Sequence, residues 1–267
     1  MAWDRETMNR SLASLAILAA TLHGAACGGR VVEDASGSST GGSSGASLCT
    51  PVSGLLAYYP LDTDTLDHSG NGNDAIGSGI VATPGKVGGA YSFDGATSFL
   101  HATGSATLQG ARTLCAWVRP SPREGLGQPV FSGGQSGTGD FFSIHASSPG
   151  PDNCPLVPNT PFVDHWGNAC NATVGTPLTV DAWHFVCYAF DGGASVTFYE
   201  DGSAVPASGA EYSYPLDTLY VGSAVIGGTS SAPSLLGTLD EVTVWTRALD
   251  AGDVAALWAG GAGCAAR

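Results

Sequence analysis

The chain is 267 residues long, 43% hydrophobic and only 12% charged, with a formal net charge of −14 and 39 glycines. That apolar fraction excludes a wholly disordered chain, and the negative charge repels phosphate backbones and anionic headgroups, so nucleic acid is not an expected partner while cations and neutral sugars fit better. Few charges with abundant Gly, Ser, Thr and Pro fit many short strands joined by tight turns rather than a helical bundle.

The first element in chain order is an address. Arg5 and Arg10 precede an apolar run from Ser11 to Leu22, and small residues then lead to Cys27, the layout of a secretory signal over 1–27. The segment resembles a bacterial lipobox, which implies lipidation of Cys27 and an outer-membrane or cell-surface lipoprotein. Gly24 stands where that pattern prefers Leu, and ordinary cleavage to a periplasmic or secreted form is the alternative. No later stretch has the eighteen or so consecutive apolar residues of a spanning helix. Residues 28–48, with SGSSTGGSSGAS, cannot bury enough apolar surface to offset ordering and read as a flexible tether. Two G-x-S-x-G matches centred on Ser39 and Ser43 fall in this tract, without the flanking strand and helix that a nucleophile elbow needs.

From 49 to 264 the runs LLAYYP, AYSFDG, TLCAWVRP, DFFSIHA, WHFVCYAF, SVTFYEDG, LYVGSA and LDEVTVW are punctuated by Gly, Asn, Asp and Pro. This predicts an all-β, two-sheet antiparallel sandwich. One short helix is predicted near the end, with Asp250 capping it, Asp253 in its first turn and Val254, Leu257 and Trp258 as an apolar stripe.

Three places carry candidate chemistry. The loop Asp67-His68-Ser69-Gly70-Asn71-Gly72-Asn73-Asp74 gathers hard oxygen donors on a glycine-punctuated turn, as calcium requires, without the acidic spacing of an EF-hand; the competing reading is a cluster of Asx turns. By strand alternation Asp240 shares a face with Val242 and Val244, so a carboxylate is aimed where apolar side chains are buried and needs a cation or several donors. The segment 149–176 carries Phe162, Asp164, His165, Trp166 and Asn168, aromatic faces for a pyranose ring and polar groups for its hydroxyls; against this, Phe162 and Trp166 can pack beneath the loop as its own small core.

Hydrolysis is not expected. No strand carries spaced carboxylates of the retaining-hydrolase type; Asp240 with Glu241, and Glu200 with Asp201, are adjacent, and alternation sends each pair to opposite faces. Asp181 near His184 imitates a triad only if any of many serines is counted. With Cys27 set aside, six of the seven cysteines remain, an even set that in an exported protein implies disulfides; fifteen connectivities are possible. A zinc site for four of them lacks any C-x-x-C pair.

Five blocks in order, LLAYYPLDTDTLDHSGNGNDA, KVGGAYSFDGATSFL, TLCAWVRP, WHFVCYAFDGGASVTFYEDG and LLGTLDEVTVWTRALDAGDVAALW, resemble the laminin-G-like group of concanavalin A-like domains. The resemblance implies a jelly-roll sandwich in which the runs holding Cys115 and Cys187 are neighbours; position along the chain pairs Cys49 with Cys264 at the domain's ends, and Cys154 with Cys170 remain, closing a loop of about 15 residues worth roughly 3 kcal/mol. It also implies a structural calcium held by Asp67, Asn71, Asn73 and Asp240. The scaffold hosts lectins, adhesion modules and glucanases alike. The function expected is a non-catalytic surface module for an extracellular glycan or protein, membrane-bound only through its anchor; the alternatives are a structural envelope or adhesion protein without a small ligand and, third, a glycoside hydrolase.

Overall fold

A computed structural model describes residues 53–102, 108, 110–123, 127–135, 140–146, 161–165, 168–173, 176–193, 195–205, 218–226 and 229–259. All of them belong to the unit that begins at Ala46. Cys27, Cys49, Cys154, Trp166 and Cys264 lie outside the described residues. In chain order the strands are β1 (Leu55–Tyr59), β2 (Ala75–Ser78), β3 (Val81–Pro84), β4 (Gly89–Asp94), β5 (Phe99–Ala102), β6 (Arg112–Pro120), β7 (Pro129–Gln135), β8 (Asp140–His145) and β9 (Phe162–His165). They continue as β10 (Asn168–Thr173), β11 (His184–Phe190), β12 (Val196–Glu200), β13 (Ser203–Val205), β14 (Thr218–Val221), β15 (Ser223–Ile226), β16 (Thr229–Ser234) and β17 (Leu236–Trp245), followed by the helix α1 (Ala251–Ala259).

These strands form the expected antiparallel sandwich. One sheet has eight strands in the order β13-β12-β11-β6-β17-β4-β3, with β1 also paired to β17; the other has seven, β10-β9-β8-β7-β14-β5-β2; β15 and β16 make a separate hairpin. Alternation assigns the faces. Leu114, Ala116 and Val118 of β6 point inward with Val186, Tyr188, Leu239, Val242 and Val244, and meet Leu100, Phe131, Leu219 and Val221 of the second sheet in one core. The opposite face of the eight-stranded sheet is covered too: Cys115, Trp117, Phe185, Cys187 and Trp245 pack with Leu249, Val254 and Leu257. Covering both faces makes β6 a nearly continuous apolar run, buried at every position but Arg119.

Cys115 stands directly opposite Cys187 in the β6–β11 ladder, and the two form the expected disulfide. The helix begins as predicted, the Asp253 N–H donating to the Asp250 carboxylate at 2.9 Å. Val254 and Leu257 are buried, whereas Trp258 is 43% exposed and not part of the buried stripe. Its indole lies over Gly202 in the β12–β13 turn, where a Cβ would stand 2.9 Å from the ring.

Candidate functional site

The 60–74 loop is organised by Asp67. Its Oδ1 accepts the N–H groups of Tyr58 at 3.0 Å and Ser69 at 2.8 Å, and its Oδ2 that of Asn73 at 2.9 Å. Burial pushes its carboxyl up, but the Ser69 side chain and the N–H groups of Tyr58, Asn73 and Ser69 outweigh that and hold the pKa below its ordinary value. Asn71 and Asn73 spend their amide nitrogens on β1, donating to the carbonyls of Leu55 and Leu56. Three of the four expected calcium ligands therefore come together, and the hydrogen bonds that unite them pin the loop to β1.

Asp240 occupies a different place from the one alternation gives. Across the β17–β6 ladder it stands opposite Trp117, on the outer face, and the register shifts between Asp240 and Thr243. The cause is Glu241, whose φ of 53° makes a bulge and adds one residue to the count. Leu239, Val242 and Val244 thus point into the core while Asp240 does not, correcting the expected shared face. Its surroundings are nonetheless closed. The turn 85–88 lies over it, Oδ2 accepting the N–H of Lys86 at 2.7 Å and of Val87 at 2.9 Å, while Lys86 Nζ sits 4.6 Å above the Trp117 ring. A Cβ on Gly85 would stand 2.6 Å from that same carboxylate oxygen, so the approach requires glycine.

The bulge also keeps Glu241 on the outer side, where its carboxylate accepts the Tyr58 hydroxyl at 2.9 and 3.0 Å. Adjacent carboxylates here do not diverge. Burial drives the Tyr58 phenol pKa strongly upward, with the charges of Glu241, Asp62 and Asp240 adding to it. Burial likewise raises Asp240 to about 7, against the N–H groups of Val87, Lys86 and Glu241 that favour its charge, with Asp62 raising it further. Asp240 is fully buried, and its Oδ1 has no hydrogen-bond partner.

A second expectation about adjacent carboxylates also changes. Asp201 lies in the β12–β13 turn with φ 47°, outside the alternating strand, and its carboxylate joins His184 and Glu200, all three offering atoms within 4.8 Å of one another. Each is already engaged: Asp201 accepts the Phe185 N–H at 2.8 Å and faces His184 Nδ1 at 3.1 Å, and Glu200 accepts both the N–H and the hydroxyl of Thr176. The cluster clasps the start of β11 to the β12–β13 turn.

The seven-stranded sheet carries an aromatic cluster that sequence reasoning missed. On its outer face the register aligns Ile76 of β2, His101 of β5, Tyr220 of β14 and Ser132 of β7. His101 stacks on Tyr220 with centroids 4.3 Å apart and planes 9° from parallel, and Phe99 meets Tyr220 edge-on at 5.7 Å. Ile76 is 61% exposed; the three rings are half-buried. The β15–β16 hairpin lies beside them, its Ser223 carbonyl accepting the buried Ser132 hydroxyl at 2.6 Å. The row continues in the backbone through Ser143 of β8 to Asp164 of β9. The expected ligand segment is thus part of this sheet: Phe162, Asp164 and His165 stand on β9 and Asn168 on β10. Parity in FLHA already puts Phe99 and His101 on one face, but the pairing with Tyr220, far along the chain, is visible only in the fold.

The comparisons agree with this architecture. A sequence model of the concanavalin A-like lectin/glucanases superfamily matches residues 93–255. No curated protein matches. Among solved structures, domain 4 of AbnA, an extracellular arabinanase from Geobacillus stearothermophilus in complex with arabinotriose, superposes with TM-score 0.58 at 20% identity over 76% of this chain and 98% of that one. A Trypanosoma rangeli sialidase gives 0.57 at 14% identity over 83% of this chain and 38% of its own, and the binding domain of Paraclostridial Mosquitocidal Protein 1 gives 0.51 at 13% over 77% and 52%. At these identities the likenesses show the fold alone. With its two stacked antiparallel sheets, its Cys115–Cys187 bridge and a family match over more than half its length, the chain belongs to the concanavalin A-like lectin/glucanases superfamily.

Proposed function

We propose that this chain is a non-catalytic glycan-binding module that meets its ligand on the outer face of the seven-stranded sheet. The observation that carries the reading is the half-buried aromatic cluster on that face, His101 stacked on Tyr220 with Phe99 edge-on beside it, whose solvent-side ring surfaces are of the kind that take the apolar face of a sugar ring. The β15–β16 hairpin borders that cluster, and the row of paired residues across the sheet runs in the backbone to Asp164 of β9. The fold-likeness to an arabinanase domain crystallised with arabinotriose supports a sugar over a peptide. Against hydrolysis stand the carboxylate pairs: Glu200 with Asp201, and Glu241 with Asp240, are held by backbone and side-chain donors within the fold rather than presented on this face.

The export reading goes with it: a signal through Cys27, lipidation there and the 28–48 tether would display the module at the cell surface, alternatively in the periplasm or outside. Calcium fits best at Asp240. The buried Asp240 Oδ1, without a hydrogen-bond partner, is an oxygen donor for a hard cation, whereas Asp67 has both oxygens committed to N–H groups. An ion held there would compensate the charge of Asp240 beneath the 85–88 turn.

The test is titration calorimetry of the intact chain with arabino-oligosaccharides and a glycan array. Saturable binding weakened about tenfold or more in Tyr220→Ala, with an unchanged melting temperature, supports the reading. Arrays blank both with calcium and with chelator reject it and leave protein adhesion or a structural role.

A further inference from the structure

Resting on that glycan-binding reading, we infer that the aromatic face selects uncharged saccharides and turns away acidic ones, such as sialosides and uronides. Anionic sugars are ordinarily gripped through guanidinium or ammonium groups, and paired guanidinium–carboxylate contacts are the strong ones. The seven-stranded sheet offers none. Its strands read AIGS, FLHA, PVFSGGQ, DFFSIH, FVDH, NACNAT and TLYV, and the bordering hairpin SAVI and TSSAPS, with neither Lys nor Arg in any of them. What charge they do carry is acidic, at Asp140 and Asp164.

The basic residues between 53 and 259 are Lys86, Arg112, Arg119, Arg123 and Arg247, and each is committed elsewhere. Arg112 is fully buried with its guanidinium 4.9 Å from the Phe190 ring. Arg119 donates to the Asp181 carbonyl, and Arg123 to those of Ser234 and Gly95. Arg247 binds the Ser53 carbonyl and sits 2.7 Å from the Asp253 carboxylate. Lys86 lies over Trp117 on the outer face of the other sheet. Arg5, Arg10, Arg30 and Arg267 lie outside the described residues. The remaining source of positive charge on this sheet is histidine, at His101, His145 and His165. Burial lowers the His101 pKa, so the imidazole stacked on Tyr220 is neutral at neutral pH. An acidic ligand would then enter a face without a counter-charge, in the field of a chain of net charge −14.

The test uses the full chain at a pH of about 8, where histidine is uncharged, and matched probes: arabinotriose against trigalacturonic acid, and a neutral milk-type oligosaccharide against its sialylated form. The neutral member is expected to bind at least about tenfold more tightly, and the gap to narrow as salt screens the repulsion. An acidic member that binds equally or better, or whose affinity falls with salt, overturns the inference while leaving the glycan reading standing. Failure of every probe, neutral and acidic, sinks both. A gain-of-function arm locates the effect: Ile76→Lys, at an exposed position beside His101, should raise the relative affinity for the acidic member by about tenfold, and no change would refute this face as the place of selection.

Discussion

His101 lies flat against Tyr220 across the β5–β14 pairing, and the two rings belong to strands separated by most of the domain's sequence. Their packing against each other and against Phe99 fixes the orientation of the cluster. Truncating Tyr220 to Ala should remove about 1–3 kcal/mol of glycan affinity, whereas Tyr220→Phe keeps the stacking plane and should stay within about 1 kcal/mol of it. Calorimetry on both variants decides; equal losses would point to the hydroxyl rather than the ring.

Asp240 should give the protein an unusual response to acid. Its folded pKa, about 7, lies above the unfolded value of about 4, so the folded state holds the extra proton between those limits. Stability from this group is therefore complete below pH ~4 and lost as pH rises through 7, a swing of up to about 4 kcal/mol. Thermal melts in chelator should show the wild type gaining stability relative to Asp240→Asn as pH falls from 8 to 5. Calcium should raise the wild-type melting temperature at pH 8 and leave Asp240→Asn unmoved.

Asp67 should behave in the opposite sense. Its folded pKa is lowered, so its contribution is present above the unfolded pKa and disappears as pH falls through the folded one. Asp67→Ala orphans the N–H groups of Tyr58, Ser69 and Asn73 and should cost about 2–4 kcal/mol. Faster amide exchange confined to those three residues would identify the cause, and a neutral substitution would show that water replaces the carboxylate.

Removing the Cys115–Cys187 bridge as a double Ala variant opens a link between residues 72 apart in sequence. The chain-entropy model predicts a loss of about 4 kcal/mol. Denaturant melts should show it as a lower midpoint, with the reduced wild type matching the variant.

Much of the sandwich was legible because its strands are short, apolar and separated by turn residues, and because Asp250 and Asp253 mark the helix start in the usual way. The Cys115–Cys187 contact followed from the likeness of two runs to neighbouring strands. What misled was alternation applied across Glu241 and Asp201. Both adopt left-handed backbone conformations, which no composition rule flags for an acidic residue, and each changes where the neighbouring carboxylate points. The sequence shows a concentration of donors in the Asp67 loop, but only coordinates show that backbone N–H groups already use the Asp67 carboxylate. The His101–Tyr220 stack lies beyond local sequence altogether, since strand order decides which distant rings meet.

The pairing of β17 has a practical corollary for anyone excising this domain. One side of β17 is shared end to end, β4 taking Leu236–Leu239 and β1 taking Leu55–Tyr59 against Val242–Trp245. A fragment trimmed to residues 93–255, where the superfamily match runs, would discard β1, β2, β3 and nearly all of β4. It would leave the longest strand with a bare, hydrophobic margin, the sort of surface on which chains stack into aggregates. Expression boundaries should accordingly start before Ser53, not at the edge of recognisable homology.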